Sequence, residues 1–176
     1  VLGSIPTAMI GLGFEAQFEA LFSNPPAVGI ASGPTGTVLW LTRLAPTGRT
    51  GASDLSPGRA LLVGVAQGIA ITPGISRSGS TIAAGLFLGM DRAAAARFSF
   101  LLSIPAIGGA FLLKFDSVVM AGTDPLPLVI GFITAAGSGF LALRLLLRIV
   151  TTGDFSRFSW YLWPLAAVSI GMALFG

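Results

Sequence analysis

Apolar residues run along this chain in long blocks broken by short polar stretches. Four blocks, residues 20–42, 98–113, 125–143 and 158–176, carry no Asp, Glu, Lys or Arg. Several approach the roughly 20 residues that take a helix across about 30 Å of hydrocarbon. One soluble core could not hide four such segments, so the pattern predicts an all-α, polytopic membrane protein, a single membrane domain over residues 1–176. Residues 27–44, 94–114, 125–150 and 158–174 are the expected spans, the first with Gly29, Gly33 and Gly36 as a flat packing face and the last entered through Trp160, Tyr161 and Trp163. Residues 1–12 are too short to cross comfortably, and 13–26 reads as a short interfacial helix with Glu15 and Glu19 on one face. Loops are expected at 45–57, 116–124 and 151–157.

Residues 58–90 do not fit this scheme. The stretch is too long for one upright span, and Thr72-Pro73-Gly74 divides it into two arms of about 15 residues, roughly 22 Å each. Neither arm crosses alone. The pattern predicts a re-entrant helical hairpin whose tip lies near mid-depth, where broken backbone is tolerated only inside protein or beside a wet cavity. Charge supports that path. If the hairpin returns to the side it left, Arg43, Arg49, Arg59, Arg92, Arg97, Arg144, Arg148 and Arg157 fall near one face, and Lys114, Glu15, Glu19, Asp116 and Asp124 near the other. The arginine face is then cytoplasmic and the C-terminus extracytoplasmic.

Composition narrows the chemistry. Only 10% of the residues are charged, against roughly 25% in an ordinary soluble domain. There is no cysteine and no histidine, which removes thiolate chemistry, the commonest general base and the commonest metal ligand. The net positive charge comes without a basic cluster, so nucleic acid is not an expected partner.

One cation stands alone in the broken segment. Arg77 lies in Thr72-Pro73-Gly74-Ile75-Ser76-Arg77-Ser78-Gly79-Ser80-Thr81, with no acid between Asp54 and Asp91. A permanent charge in such surroundings needs water, an anion or a partner. Its guanidinium fork suits phosphate oxygens, and the second arm begins here with unpaired backbone N–H groups aimed at the tip. Gly74 and Gly79 permit a tight turn and close approach of an anion, while Ser76, Ser78 and Thr81 add hydroxyls. Gln67, seven residues before Gly74, could share the cavity. The competing reading is structural: Ser76 as a helix cap, Thr81 bonded back to carbonyls, Gln67 as a helix–helix tie. The pattern supplies an anion cradle without the base or metal-holding carboxylates that hydrolysis requires.

These residues resemble the undecaprenyl-diphosphatases, the bacitracin-resistance type of polyprenyl pyrophosphate phosphatase. The likeness is carried by residues 64–81, by Gly85-Leu86-Phe87-Leu88-Gly89-Met90 and by Arg97-Phe98-Ser99-Phe100-Leu101-Leu102-Ser103-Ile104-Pro105, with weaker similarity along nearly the whole chain. The resemblance implies an inverted-repeat bundle of which this chain is the C-terminal portion. It implies that Arg77, Ser76 and Ser78 act on the pyrophosphate, that Gly74, Gly79, Thr81 and Gln67 bind it, and that a divalent cation (Mg or Ca) assists, with no ligands identifiable here. It further implies a polyprenyl pyrophosphate lipid as substrate, recycled for cell-wall polymers at the bacterial cytoplasmic membrane, and a first repeat that this chain lacks; a homo-oligomer is compatible with the pattern. That repeat's paired-glutamate motif is absent, and Glu15 and Glu19 share only its spacing, so the chain alone is expected to show no turnover. The rival functions are a transporter or flippase half and a scaffold for anionic lipid.

Overall fold

The computed structural model describes residues 2–23, 25–46, 48–120 and 125–175. Among them the chain is helical apart from turns and one isolated parallel bridge, Thr50 to Met90, as an all-α fold requires. In order come α1 (Ser4–Gly13), α2 (Glu15–Phe22), α3 (Pro25–Leu41) and a 3-10 turn at Thr42–Leu44. After an irregular stretch follow α4 (Pro57–Ile69), α5 (Arg77–Phe87), α6 (Arg92–Met120) and α7 (Pro125–Thr152). A 3-10 turn at Asp154–Phe158 leads into α8 (Ser159–Phe175).

Local chemistry starts and stops these helices. Ser56 caps α4, its hydroxyl accepting the Arg59 N–H at 3.5 Å, and Pro57 fills the first turn, where its missing N–H costs nothing. Asp91 caps α6 by accepting the N–H groups of Ala93 and Ala94 at 2.9 and 3.1 Å. Gly153, at φ 87°, reverses the chain after α7. The loop expected from residue 116 begins later: α6 stays helical through Asp116 to Met120, since no glycine or proline interrupts 110–120. Residues 121–124 of that loop lie outside the described residues. Pro105 likewise fails to end the helix, because a proline removes one ladder bond and the neighbouring turns hold.

Two helices among the described residues are long and apolar enough to cross a membrane, Arg92–Leu112 and Leu126–Thr152. The expected spans at 27–44 and 158–174 form helices of 17 residues each, α3 and α8, which reach about 25 Å. The glycine face of α3 packs on α8: a Cβ on Gly29 would run into Ser169, and one on Gly36 would meet the Trp163 ring at 2.9 Å. Trp163 is also tilted against Trp40 and meets Trp160 edge to face, and the Arg43 guanidinium lies over the Trp40 ring.

The apolar core sits where α5 ends. Leu39, Ile82, Leu86, Met90, Ala95, Val150 and Phe155 are buried together there, joining α3, α5, α6 and the end of α7. Thr50 closes this end by donating its N–H to the Gly89 carbonyl and accepting the Asp91 N–H. On the other side α1 lies against α4, close enough for the Thr7 hydroxyl to donate to the Gly64 carbonyl at 2.9 Å. The α4–α5 hairpin is thereby packed along both arms.

Candidate functional site

The turn between α4 and α5 is short and internally bonded. The N–H groups of Ile71, Thr72 and Ile75 reach the carbonyls of Gly68, Ile69 and Thr72, each at 3.1 Å. Pro73 is buried, and Gly74 takes φ +90°, a conformation that side chains strongly disfavour. A Cβ on Gly74 would collide with the Val28 carbonyl oxygen, while the Ser32 hydroxyl donates to the Gly74 carbonyl at 3.3 Å. Gly74 therefore pins the tip to α3.

Helix α5 starts immediately afterwards. Ser76 is its cap: the Ser76 hydroxyl accepts the Gly79 N–H at 3.1 Å, and the Ser76 carbonyl accepts the Ser80 N–H at 2.9 Å. The N–H groups of Arg77 and Ser78 then find no acceptor among the described residues. They stand at the positive end of the helix, where anions are stabilised. Arg77 is exposed and pairs with no acid among the described residues.

Beside Arg77 opens a cavity of about 310 Å³. Gln67 of α4, Arg77, Ser78 and Thr81 of α5, and Ser99 and Ser103 of α6 give it polar walls; Phe100 and Ile107 complete it. The Thr81 hydroxyl lies 2.9 Å from the Arg77 carbonyl and against the Ser99 hydroxyl. Gln67 is 1% exposed, and its amide N–H donates to the Leu102 carbonyl at 3.4 Å. Its Oε1 has no protein partner among the described residues.

The structure thus gathers four of the seven expected residues, Gln67, Arg77, Ser78 and Thr81, around one space. Ser76 and Gly79 face a second, largely apolar cavity of about 390 Å³, walled by Leu39, Leu145, Leu146, Ile149, Phe155 and Phe158 among others. Ser78 touches both. Gly74 lines neither. Ser99 and Ser103 are the residues the sequence reading did not single out. Their signal was present: two hydroxyls four apart on one face of the uncharged stretch 98–113 of α6.

Hard divalent cations take several oxygen ligands, usually including carboxylates. No carboxylate lines either cavity, Glu15 and Glu19 sit exposed on α2, and no cluster of three metal-ligating side chains occurs among the described residues. These side chains do not fit a resident metal ion, and no chemical step is assigned to one.

Two helices long and apolar enough to cross a membrane, beside a polar pocket with an exposed arginine at a helix start, fit a membrane-associated helical protein. Comparison with known proteins is more particular. The family model described as "Bacitracin resistance protein BacA" matches residues 1–168, so the chain belongs to that family. It is 51% identical over 176 residues to the undecaprenyl-diphosphatase of Desulfosudis oleivorans, covering 99% of this chain and 64% of that relative. It is 45% identical to the undecaprenyl-diphosphatase of Carboxydothermus hydrogenoformans, over 94% of this chain and 65% of the relative. With the undecaprenyl-diphosphatase of Methanothermobacter thermautotrophicus it shares 41% identity, over 99% of this chain and 98% of that protein. The chain spans just under two thirds of the first two relatives. The expectation that the likeness concerns a C-terminal portion only is overturned: matches take in nearly all of this chain and, in the Methanothermobacter case, nearly all of the relative.

Proposed function

We propose that the protein hydrolyses undecaprenyl diphosphate to undecaprenyl phosphate and phosphate, with the cavity at the start of α5 as the pyrophosphate site. The observation that carries this reading is Arg77, exposed and unpaired at the first turn of α5 beside two free backbone N–H groups and a polar cavity. Arg77 grips the terminal phosphate through two parallel N–H bonds, and the Arg77 and Ser78 N–H groups with the Ser78 hydroxyl take further oxygens. Charge that builds on the phosphoryl oxygens as the bridging bond breaks meets the same donors, so they serve rate as well as binding. The apolar cavity reached through Ser78 suits the first units of a prenyl chain, which favours a lipid diphosphate over free pyrophosphate.

In this reading the α4–α5 hairpin is re-entrant in an inverted-repeat, multi-pass bundle of the cytoplasmic membrane, with the site open to the outer side and the C-terminus outside. A divalent cation enters only by family likeness. The deciding experiment measures binding of a polyprenyl diphosphate to the detergent-solubilised protein, together with phosphate release. Arg77→Ala removes two charge-assisted hydrogen bonds, each about 1.5–3 kcal/mol, so binding should weaken at least ~100-fold, and Arg77→Lys should restore only part of it. Unchanged binding in Arg77→Ala would overturn the proposal. Lipid translocation in sealed vesicles without phosphate release would instead establish a flippase.

A further inference from the structure

The cavity beside Arg77 is divided by hydrogen-bonding character. The polar side chains that share the cavity with Arg77 spend most of their hydrogens inside the protein. Gln67 turns one amide N–H to the Leu102 carbonyl at 3.4 Å, the orientation that a carbonyl acceptor favours, and keeps its second N–H. The Ser103 hydroxyl donates to the Phe100 carbonyl at 2.7 Å. Thr81 and Ser99 share one contact, and Thr81 has the Arg77 carbonyl as its acceptor; both hydrogens are used when Ser99 donates to Thr81 and Thr81 donates to that carbonyl. What these groups leave unpartnered is mainly acceptor lone pairs, with the buried Gln67 Oε1 foremost.

A fully ionised phosphate oxygen has no hydrogen to offer such a wall. A ligand that fits it must bring hydrogens of its own, and water does so while still offering lone pairs to the donors across the gap. A cavity of about 310 Å³ has room for several waters at about 30 Å³ each, and buried waters settle on otherwise unsatisfied polar groups. We propose that Gln67 seats a water molecule through Oε1, facing the phosphate held by Arg77, and that this water is the one that attacks. Its role in the reaction rests on the diphosphatase reading; the water seat does not. The water oxygen bonds to the terminal phosphorus as the bridging P–O bond breaks, the electron pair leaves with the lipid monophosphate, and both water hydrogens end on the released phosphate. Gln67 is a positioning residue, since an amide oxygen orients the water and does not take its proton.

The test is a structure of the protein in lipid nanodiscs, with and without methylenediphosphonate, at a resolution that shows waters. An ordered water within about 3.2 Å of Gln67 Oε1 in both states is the expected result. A phosphonate oxygen at that position, or no water there, overturns the proposal. Gln67→Leu should lose the water and at least ~100-fold in turnover, while methylenediphosphonate binds within about twofold of wild type. A merely structural tie from α4 to α6 would instead lower melting temperature and analogue binding together. Gln67→Glu keeps the shape if the leucine variant fails to fold; it should retain the water and make turnover rise as the new carboxyl ionises, and its failure to hold the water also overturns the idea. If methylenediphosphonate does not bind at all, the diphosphatase reading fails, and the water at Gln67 still decides this one.

Discussion

The α4–α5 hairpin and helix α7 are both rich in glycine and apolar residues, yet they use them in opposite ways. In the hairpin the glycines are contacts: a Cβ on Gly64 would strike the Gly3 carbonyl, one on Gly68 would meet Ile10, and one on Gly74 would meet Val28. In α7, Cβ atoms on Gly131, Gly137 and Gly139 would meet nothing within 4 Å. Within Leu126–Thr152 only Val150, near the end of α7, is buried, whereas Val63, Gln67, Thr81, Ile82 and Leu86 of the hairpin are buried almost completely. Glycine in an apolar helix is therefore not one signal. Where neighbouring backbones close to contact distance it holds a site rigid, and where no helix approaches it leaves a smooth surface suited to lipid.

Substitutions can break or sharpen that contrast. The largest effect belongs to Gly74→Ala, which combines a positive φ with a collision against α3. It should destabilise by roughly 3 kcal/mol or more and weaken diphosphate binding by moving Arg77, as read by thermal unfolding in detergent with a parallel binding assay. A variant that melts like the parent would show that the tip is not pinned to α3. Next comes Thr81→Val, which strands the Ser99 hydroxyl and frees the Arg77 carbonyl. A loss of about 2 kcal/mol is expected, and Thr81→Ser should recover most of it if the hydroxyl relay matters more than packing. Ser76→Ala removes only a helix cap, about 1 kcal/mol by the same melting measurement. Smallest is Gly137→Ala on α7, expected to be neutral or to stabilise by up to about 1 kcal/mol through helix propensity. A large loss there would mean that α7 is closely packed in the protein, and the contrast between the two regions would fall.

Much of the site was legible because the rules behind it are local. The break at Thr72-Pro73-Gly74, the start of a helix at Ser76-Arg77 and the isolation of Arg77 from acids all follow from neighbours in sequence, and the structure has each of them. Ser76 illustrates how far such rules reach. Its competing reading as a helix cap describes its hydroxyl bond, and the same hydroxyl faces the apolar cavity. Gly74 was read as permitting a tight turn and close approach of an anion; the turn is there at φ 90°, and the position of its missing Cβ faces α3. That could not be known from the motif, since the partner lies more than forty positions away in Val28. Ser99 and Ser103 were missed for the same reason. Their spacing puts both on one face of α6, but nothing near them in sequence says that this face meets α5.

Sequence alone settled the apolar helical character of the chain, the position of the hairpin turn and the placement of a lone guanidinium at a helix start, because hydrophobic pattern, capping and turn chemistry act over a few residues. Tertiary structure alone decided which hydroxyls share a cavity with Arg77, which glycines are contacts and which are bare surface, and that Gln67 keeps one acceptor oxygen free. Those outcomes depend on how closely α1, α3, α4, α5 and α6 approach one another, and that distance is set by side chains far apart along the chain.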